Sequence, residues 1–365
     1  MKVALVHDYL IQDGGAERTV LALHELYPEA PIYTLFYDRE RSHPTFKQLD
    51  VRPRSLNAWP FAQRHYEWYL PFMSHAIELI DLSAYDLVIS SSSSFAKGVF
   101  AAPHAMHICY CHTPTRFLWQ ERLGYVHELP GPRPLKKLLL PLLHHLRQWD
   151  KLASERPDHF LTNSRTSQER ILRYYRRTAQ VIHPPVDTHA FSNVAYEGSY
   201  WLAGGRLVAY KRFDRLVQAF AKLDLPLKLF GTGPEEKKLR SLAGPKTEIL
   251  GCVDEEAKIQ LYQHAIAFLH PQFEDFGITA VEAMAAGKPV LAYGKGGAKE
   301  TVIAGETGKF FGGQTVEDIM EAVRRFEPQR YRFARLQEHA QRFSKQRFQE
   351  EMRTVIDAAL ASRRV

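Results

Sequence analysis

Two glutamates with seven residues between them bracket the most chemically suggestive stretch of this chain, Glu274-Asp-Phe276-Gly277-Ile278-Thr279-Ala-Val-Glu282. An apolar run precedes it, and Gly277 stands where a turn would open a helix. Free backbone N–H groups at Gly277, Ile278 and Thr279, with the positive helix end, would form an anion site. Glu282, about one turn further in, is placed to accept two hydrogen bonds from a vicinal diol such as a ribose. Glu274 lies ahead of the helix, aimed beyond the anion. The bland alternative is a pair of surface glutamates beside a helix start. Either residue alone leaves that open; their combination at a strand end favours a site.

A second strand end carries Gly204-Gly-Arg206-Leu-Val-Ala-Tyr-Lys211. Arg206 offers a planar fork for a diphosphate, and Lys211 a point charge on a flexible stem. The alternative is a solvated loop with ordinary surface cations. Gly231-Thr-Gly233-Pro and Gly294-Lys-Gly-Gly297 each follow a strand directly. Small residues there would let a nucleotide approach the backbone, although ordinary turns use glycine too.

These segments need elements to hold them. Short apolar runs alternate with helix-length amphipathic segments along the whole chain, the pattern of a parallel sheet between helices. Strands are expected at Val3–His7, Ile32–Leu35, Leu87–Ser91, Met106–Cys111, His159–Thr162 and Val181–His183. A second set is expected at Tyr200–Gly204, Leu227–Gly231, Glu248–Leu250, Ala267–His270, Pro289–Tyr293 and Gly308–Phe311. Two doubly wound domains follow, 1–187 and 188–343. The prolines of His183-Pro-Pro-Val-Asp187 form a stiff hinge between them. In 344–365, Phe348, Met352, Val355, Ile356, Ala359 and Leu360 share one helical face. That helix is expected to pack back on the first domain.

Composition bounds the chemistry. The formal charge of +7 suits a phosphate-bearing ligand, an anionic membrane or nucleic acid, but no block of five or six basic residues argues for a nucleic-acid partner. Cys109, Cys111 and Cys252 are too few for a disulfide framework and fit a reducing cytoplasm. His7, Asp8 and Asp13 break up the N-terminal apolar run, against a secretory signal. No stretch approaches the roughly 20 apolar residues that span a bilayer. The 17 histidines show no metal-ligand spacing, so no metal is expected. Pro134–Trp149 mixes leucines, cations and tryptophan, as an interfacial helix or a buried one would, and Pro141 should kink or interrupt it. The aromatics of Trp59-Pro-Phe and His65–Phe72 would line a groove or fill a core.

Glu274–Glu282 resembles the E-x7-E motif of retaining GT-B glycosyltransferases of glycosyltransferase family 4. GRLVAYKRFDRLVQAF resembles that family's G-R-x4-K phosphate segment, FGTGPEEKKL its F-G-x-G-P turn, and HPPVDTHAF its interdomain linker. The matches are colinear over the second half. In the first half, VHDYLIQDGGAERTVLALHELYPEAPIYTLFYD and YCHTPTRFLW resemble bacterial mannosyltransferases of O-antigen and exopolysaccharide synthesis. The resemblance implies a GT-B fold, two Rossmann-like domains facing each other across a cleft. It makes Gly14 and Gly15 a loop over the donor phosphates, and matches His112 to a histidine near the reacting sugar carbon. Arg116 and Trp119 would shape the acceptor cleft. For His112 the alternative is a strand-end histidine that only bonds its neighbours.

The implied reaction moves a hexose, mannose from GDP-mannose, with retained configuration to a saccharide acceptor linked to a polyprenyl diphosphate. Arg206, Lys211, Glu274 and His112 would serve catalysis. Gly231, Gly233, Phe276, Gly277, Ile278, Thr279 and Glu282 would hold the donor with Gly14 and Gly15. No cofactor or metal is implied, and the expected setting is the cytoplasm, with transient contact at the inner membrane face. A UDP-hexose donor and a non-catalytic sugar-nucleotide-binding subunit remain as alternatives. An epimerase fits the two motifs less well, and a nicotinamide dehydrogenase lacks its GxGxxG after the first strand.

Overall fold

In a computed structural model the chain is described over residues 1–120, 133–191 and 198–363, with side chains from residue 139 onward in the second stretch. It divides into two compact units, Met1–Pro184 with Gln349–Val365, and Pro185–Phe348.

Among the described residues the first unit holds seven parallel strands. They are β1 (Val3–Leu10), β2 (Ile32–Tyr37), β3 (Val51–Pro53), β4 (Leu87–Ser92), β5 (Met106–Cys111), β6 (His159–Thr162) and β7 (Gln180–Val181), in the order β3-β2-β1-β4-β5-β6-β7. The second unit holds six: β8 (Tyr200–Gly204), β9 (Leu227–Phe230), β10 (Thr247–Gly251), β11 (Ala265–His270), β12 (Val290–Tyr293) and β13 (Gly308–Phe311), ordered β10-β9-β8-β11-β12-β13. All twelve expected strands are present. The one not anticipated, β3, is a three-residue, largely exposed edge strand ending in proline, too short and polar to show a period.

Strands β2, β4 and β5 are buried at every position, as a parallel sheet covered on both faces requires. In each unit the order reverses beside the first strand, between β1 and β4 and between β8 and β11. Crossovers on opposite sides leave a crevice outside the carboxyl ends at that point.

Helix 133–153 runs through Pro141 without interruption. Leu143, Leu146 and Ala153 are buried while Leu140 and Leu152 are exposed, so the described part behaves chiefly as a packed helix. Of the aromatic segment, Tyr66 and Tyr69 pack on the core, whereas Trp59, Phe61, Trp68 and Phe72 stay exposed. Among the described residues no helix is long and apolar enough to cross a membrane. In helix Lys345–Ser362, Phe348, Met352, Ile356 and Ala359 are buried. Within the first unit its Gln349 amide donates to Ala22 O at 3.1 Å and Glu25 Oε2 at 2.8 Å.

A buried ion pair ties helix 133–153 to the first unit's core. Lys97 Nζ lies 2.5 Å from Asp150 Oδ1, both side chains being 1% exposed. The hydroxyl of Thr115 donates to the same oxygen at 2.7 Å, and the Trp119 indole and Tyr175 hydroxyl donate to Oδ2 at 2.7 and 2.8 Å. Removing one partner strands a buried charge, which costs far more than the pair itself contributes. Lys97→Met should therefore lower stability by about 3–5 kcal/mol, read as a fall in the urea midpoint of the first unit.

Candidate functional site

In the second unit, β8 ends at Gly204, and the chain turns through Gly205 and the exposed Arg206 into a short 3-10 turn ending at Lys211. Arg212 then takes a left-handed conformation and opens helix Phe213–Leu223. This returns Lys211 to the carboxyl edge, where its Nζ meets Glu274 Oε1 at 2.6 Å, with side chains only 10% and 15% exposed. Glu274 follows β11, and Gly277 (φ +96°) opens helix Ile278–Ala285 with no side-chain cap. A Cβ at Gly277 would lie 3.0 Å from His270 Cε1 and in a conformation L residues avoid.

His270, the last residue of β11, belongs to none of the motifs that mark the sequence, although it stands four residues before Glu274. Its Nε2 is 3.9 Å from Glu274 Oε2 and buried without a hydrogen-bond partner. The Gln272 side-chain amide meets Nδ1 at 3.0 Å. With that amide donating, the ring proton sits on Nε2 and faces Glu274. Burial lowers the His270 pKa to about 4, against the attraction of Glu274, so the ring is a neutral donor at pH 7. The Thr279 Oγ1 is a second buried polar atom without a partner, on the first turn of the same helix.

Other expected contacts resolve differently. Glu282 is buried, and its two oxygens accept from Lys258 Nζ at 3.1 Å and Tyr262 OH at 2.9 Å; the structure gives it partners within the unit rather than an open face. The side chain of Phe276 is in the core, 5.5 Å from the Phe343 ring, so only its backbone is placed to meet a ligand. A Cβ on Gly231 would fall 1.9 Å from Gly205 O, and one on Gly233 2.3 Å from Leu207 O. Those glycines let two loops interlock, a packing role that stands beside the close nucleotide approach expected of them. Gly297 likewise donates its N–H to Glu274 O at 2.8 Å and buttresses the Glu274 loop.

In the first unit, β1 and β4 are in register at His7 and Ser91. His7 Nδ1 is 3.0 Å from Ser91 O and 3.1 Å from Ser91 Oγ. Ser91 Oγ is also 2.8 Å from Nε2 of His112, just beyond β5. Asp8, the next residue on β1, accepts four backbone N–H groups, from Ser93 and Ser94 on Oδ2 (2.5 and 2.8 Å) and from Phe95 and Ala96 on Oδ1 (2.7 and 2.6 Å). Gly14 precedes helix Gly15–Leu26 in extended backbone, and Gly15 is its first residue. Glu17 in that first turn is buried; its Oε1 accepts from Gln12 at 3.1 Å and lies 4.0 Å from His7 Nε2. Trp119 is half-buried, its N–H going to Asp150 and its ring stacking on Tyr174. Arg116 is half-buried on the same short helix.

Among the described residues no group of three or more His, Cys, Asp or Glu is gathered to hold a metal ion.

The family model described as glycosyltransferase family 4 matches residues 13–190, and that described as glycosyl transferases group 1 matches 186–348. A D-rhamnosyltransferase of Pseudomonas aeruginosa is 29% identical over 50% of this chain and 52% of its own length. A GDP-mannose-dependent alpha-mannosyltransferase of Mycolicibacterium smegmatis is 35% identical over 28% of each chain. The chain spans about half the length of the first of these relatives. Among solved structures, HepE of Anabaena in complex with UDP and glucose aligns with a TM-score of 0.72 at 18% identity over 98% of this chain and 99% of its own. Sucrose-phosphate synthase of Thermosynechococcus elongatus aligns at 0.75 and 18%, over 99% and 100%. The fold is GT-B.

Burial lowers the pKa of His107 and His270 to about 4 and that of His112 to about 3, where His7 adds to the effect. An unfolded chain protonates these rings below about 6.5 while the native protein holds them neutral. Their contribution is therefore complete above that pH and is lost as pH falls toward the folded values. His7 runs the other way: burial opposes its protonation, but Glu17 and Asp8 outweigh that and raise its pKa, so its contribution is lost as pH rises through the folded value. Three rings outweigh one. Urea midpoints should fall between pH 6.5 and 4, at up to about 1.4 kcal/mol per pH unit per ring, and His107→Gln should flatten that slope.

Proposed function

We propose, for a chain that belongs to the GT-B glycosyltransferases of the family 4 type, that it transfers a mannosyl group from GDP-mannose to a saccharide hydroxyl with retained configuration. The observation that carries this reading is the Lys211–Glu274 pair beside an uncapped helix at the β8/β11 reversal. There an ammonium, an exposed guanidinium and free helical N–H groups can neutralise a diphosphate, while a carboxylate next to them holds sugar hydroxyls. The bond from the anomeric carbon to phosphate breaks and one to the acceptor oxygen forms. The acceptor proton passes to the departing diphosphate. That leaving group needs its charge stabilised where it develops, and Arg206 and Lys211 are assigned that role without a resident metal. Glu274 orients the sugar, and His112 acts on it as a neutral hydrogen-bond donor.

The mannosyl donor is supported by the GDP-mannose-dependent relative. A UDP-hexose is the second reading, favoured by the fold-level likeness to a protein crystallised with UDP and glucose. Thermal shift separates them. A nucleotide at 100 times its Kd stabilises by about 2.7 kcal/mol, and GDP should raise Tm more than UDP. No shift with either would overturn the sugar-nucleotide reading. Donor turnover, measured as GDP release from GDP-mannose, should drop by about 100-fold or more in Lys211→Ala and Glu274→Ala, with unchanged circular dichroism.

We assign the acceptor to the saccharides carried on polyprenyl diphosphate at the inner face of a cell membrane, as in surface polysaccharide synthesis. Support comes from the exposed Trp59, Phe61, Trp68 and Phe72, aromatics that favour a membrane interface, on a chain with net charge +7. The protein should float with anionic liposomes, and Trp59→Ala with Trp68→Ala should reduce that fraction. Absence of flotation at any lipid composition would remove the membrane from the proposal.

A further inference from the structure

The first unit contains a buried chain of polar groups of which the transfer reaction, as drawn, uses only the last, His112. It runs from Glu17 on helix Gly15–Leu26, through His7 on β1 and Ser91 on β4, to His112 after β5. All four residues are buried. Their alignment is built into the sheet, because the β1/β4 register sets His7 against Ser91 and the β4/β5 register sets Ser91 against Tyr110, two residues before His112.

Buried charge persists only when it is paired. Glu17 is a carboxylate under the start of a helix, with Oε2 lacking any hydrogen-bond partner and Gly14 so close that a Cβ there would sit 2.8 Å from it. The basic group set against it is the His7 ring, 4.0 Å away. A cationic His7 carries a proton on both nitrogens, so Nδ1 donates to Ser91, its proton shared between the carbonyl oxygen at 3.0 Å and Oγ at 3.1 Å. The Ser91 hydroxyl, accepting from His7, has its own proton free for one partner. That partner is His112 Nε2 at 2.8 Å. A neutral His112 whose Nε2 accepts must hold its single proton on Nδ1, an atom with no partner among the described residues.

We propose that Glu17, His7 and Ser91 are positioning residues that fix His112 as the neutral ring protonated at Nδ1, ready to donate one hydrogen bond. The inference rests on the role given to His112 above. The relay explains why a histidine beside a second, charged histidine stays neutral, in keeping with the lowered pKa of His112 and the raised pKa of His7. The groups facing His7 are Glu17 from the helix, Asp8 on its own strand, Ser91 from β4 and His112 from beyond β5.

The tautomer is directly readable by nitrogen NMR of the histidine-labelled full chain. Wild type should show the His112 proton on Nδ1, and a proton on Nε2 would overturn the proposal without any variant. Donor turnover with GDP-mannose supplies the functional arm. Ser91→Ala and His7→Phe should lower kcat by about 10- to 100-fold, with KM for the donor and the thermal shift by GDP unchanged. Ser91→Thr and His7→Asn, which restore a hydroxyl and a donor at the Nδ1 position, should recover much of it. Loss of the neighbouring cation should move the acid limb of the kcat profile to higher pH in His7→Phe. Wild-type kcat in folded Ser91→Ala and His7→Phe, beside an inactive His112→Ala, would sink the relay alone. An active His112→Ala would take the His112 assignment down with it.

Discussion

Parallel strands cannot be joined by tight turns, so each must return through a crossover on one face of its sheet. In both units the crossovers change sides next to the first strand, and the gap this leaves at the carboxyl edge is where backbone groups lack sheet partners. The molecule fills that gap in two ways. In the first unit Asp8 reaches from β1 across the gap and accepts four consecutive N–H groups of the segment after β4. Loops normally stay at the surface because buried backbone is hard to satisfy; one carboxylate lets this segment be buried. Ser91, at the root of that segment, is thereby held beside His7 and His112.

The second unit uses glycine instead of a carboxylate. The loop after β9 lies directly on the loop after β8, with Leu207 N–H donating to Thr232 O and Glu235 N–H to Leu207 O. The loop after β12 supports the Glu274 turn in the same manner through Gly297. Backbone contacts this close leave no room for a Cβ, and they place Lys211 and Glu274 within one ion pair. Positioning therefore comes from main chain, and the charged side chains are left for ligand chemistry.

This difference explains what was legible beforehand. Strand positions show in apolar runs, and strand ends show in the residues that follow, so the places of Lys211, Glu274 and His112 beyond β8, β11 and β5 are legible in the sequence. What a one-dimensional pattern does not contain is register. That His7 faces Ser91, or that Asp8 reaches Ser93 to Ala96, depends on how β1 lies against β4. Motif adjacency also says nothing about which side of the backbone a side chain takes. Phe276 turns its side chain into the core, and the indole N–H of Trp119 turns to Asp150. The Gly231 and Gly233 turn was located correctly, while its cause, a neighbouring loop, lay 26 residues upstream at Gly205 and Leu207.

His112 follows β5, one strand beyond the reversal of its sheet, and His270 ends β11, which flanks the reversal of the other. Both are kept neutral by burial, and each has one nitrogen engaged by a neighbouring side chain, Ser91 for His112 and Gln272 for His270. Engaging one nitrogen of a neutral imidazole dictates the function of the other. A neutral ring of fixed tautomer presents a directed N–H without adding charge; the Nε2 of His270 faces Glu274, which already carries its ion pair with Lys211. Such a donor keeps its strength across the physiological pH range, because its titration has been moved well below it. Where charge is required at these strand ends, the fold sets it in opposed pairs, Lys211 with Glu274 and His7 with Glu17, as the cost of burying a lone charge demands. The strand ends thus separate two jobs that one histidine at its ordinary pKa would have to share.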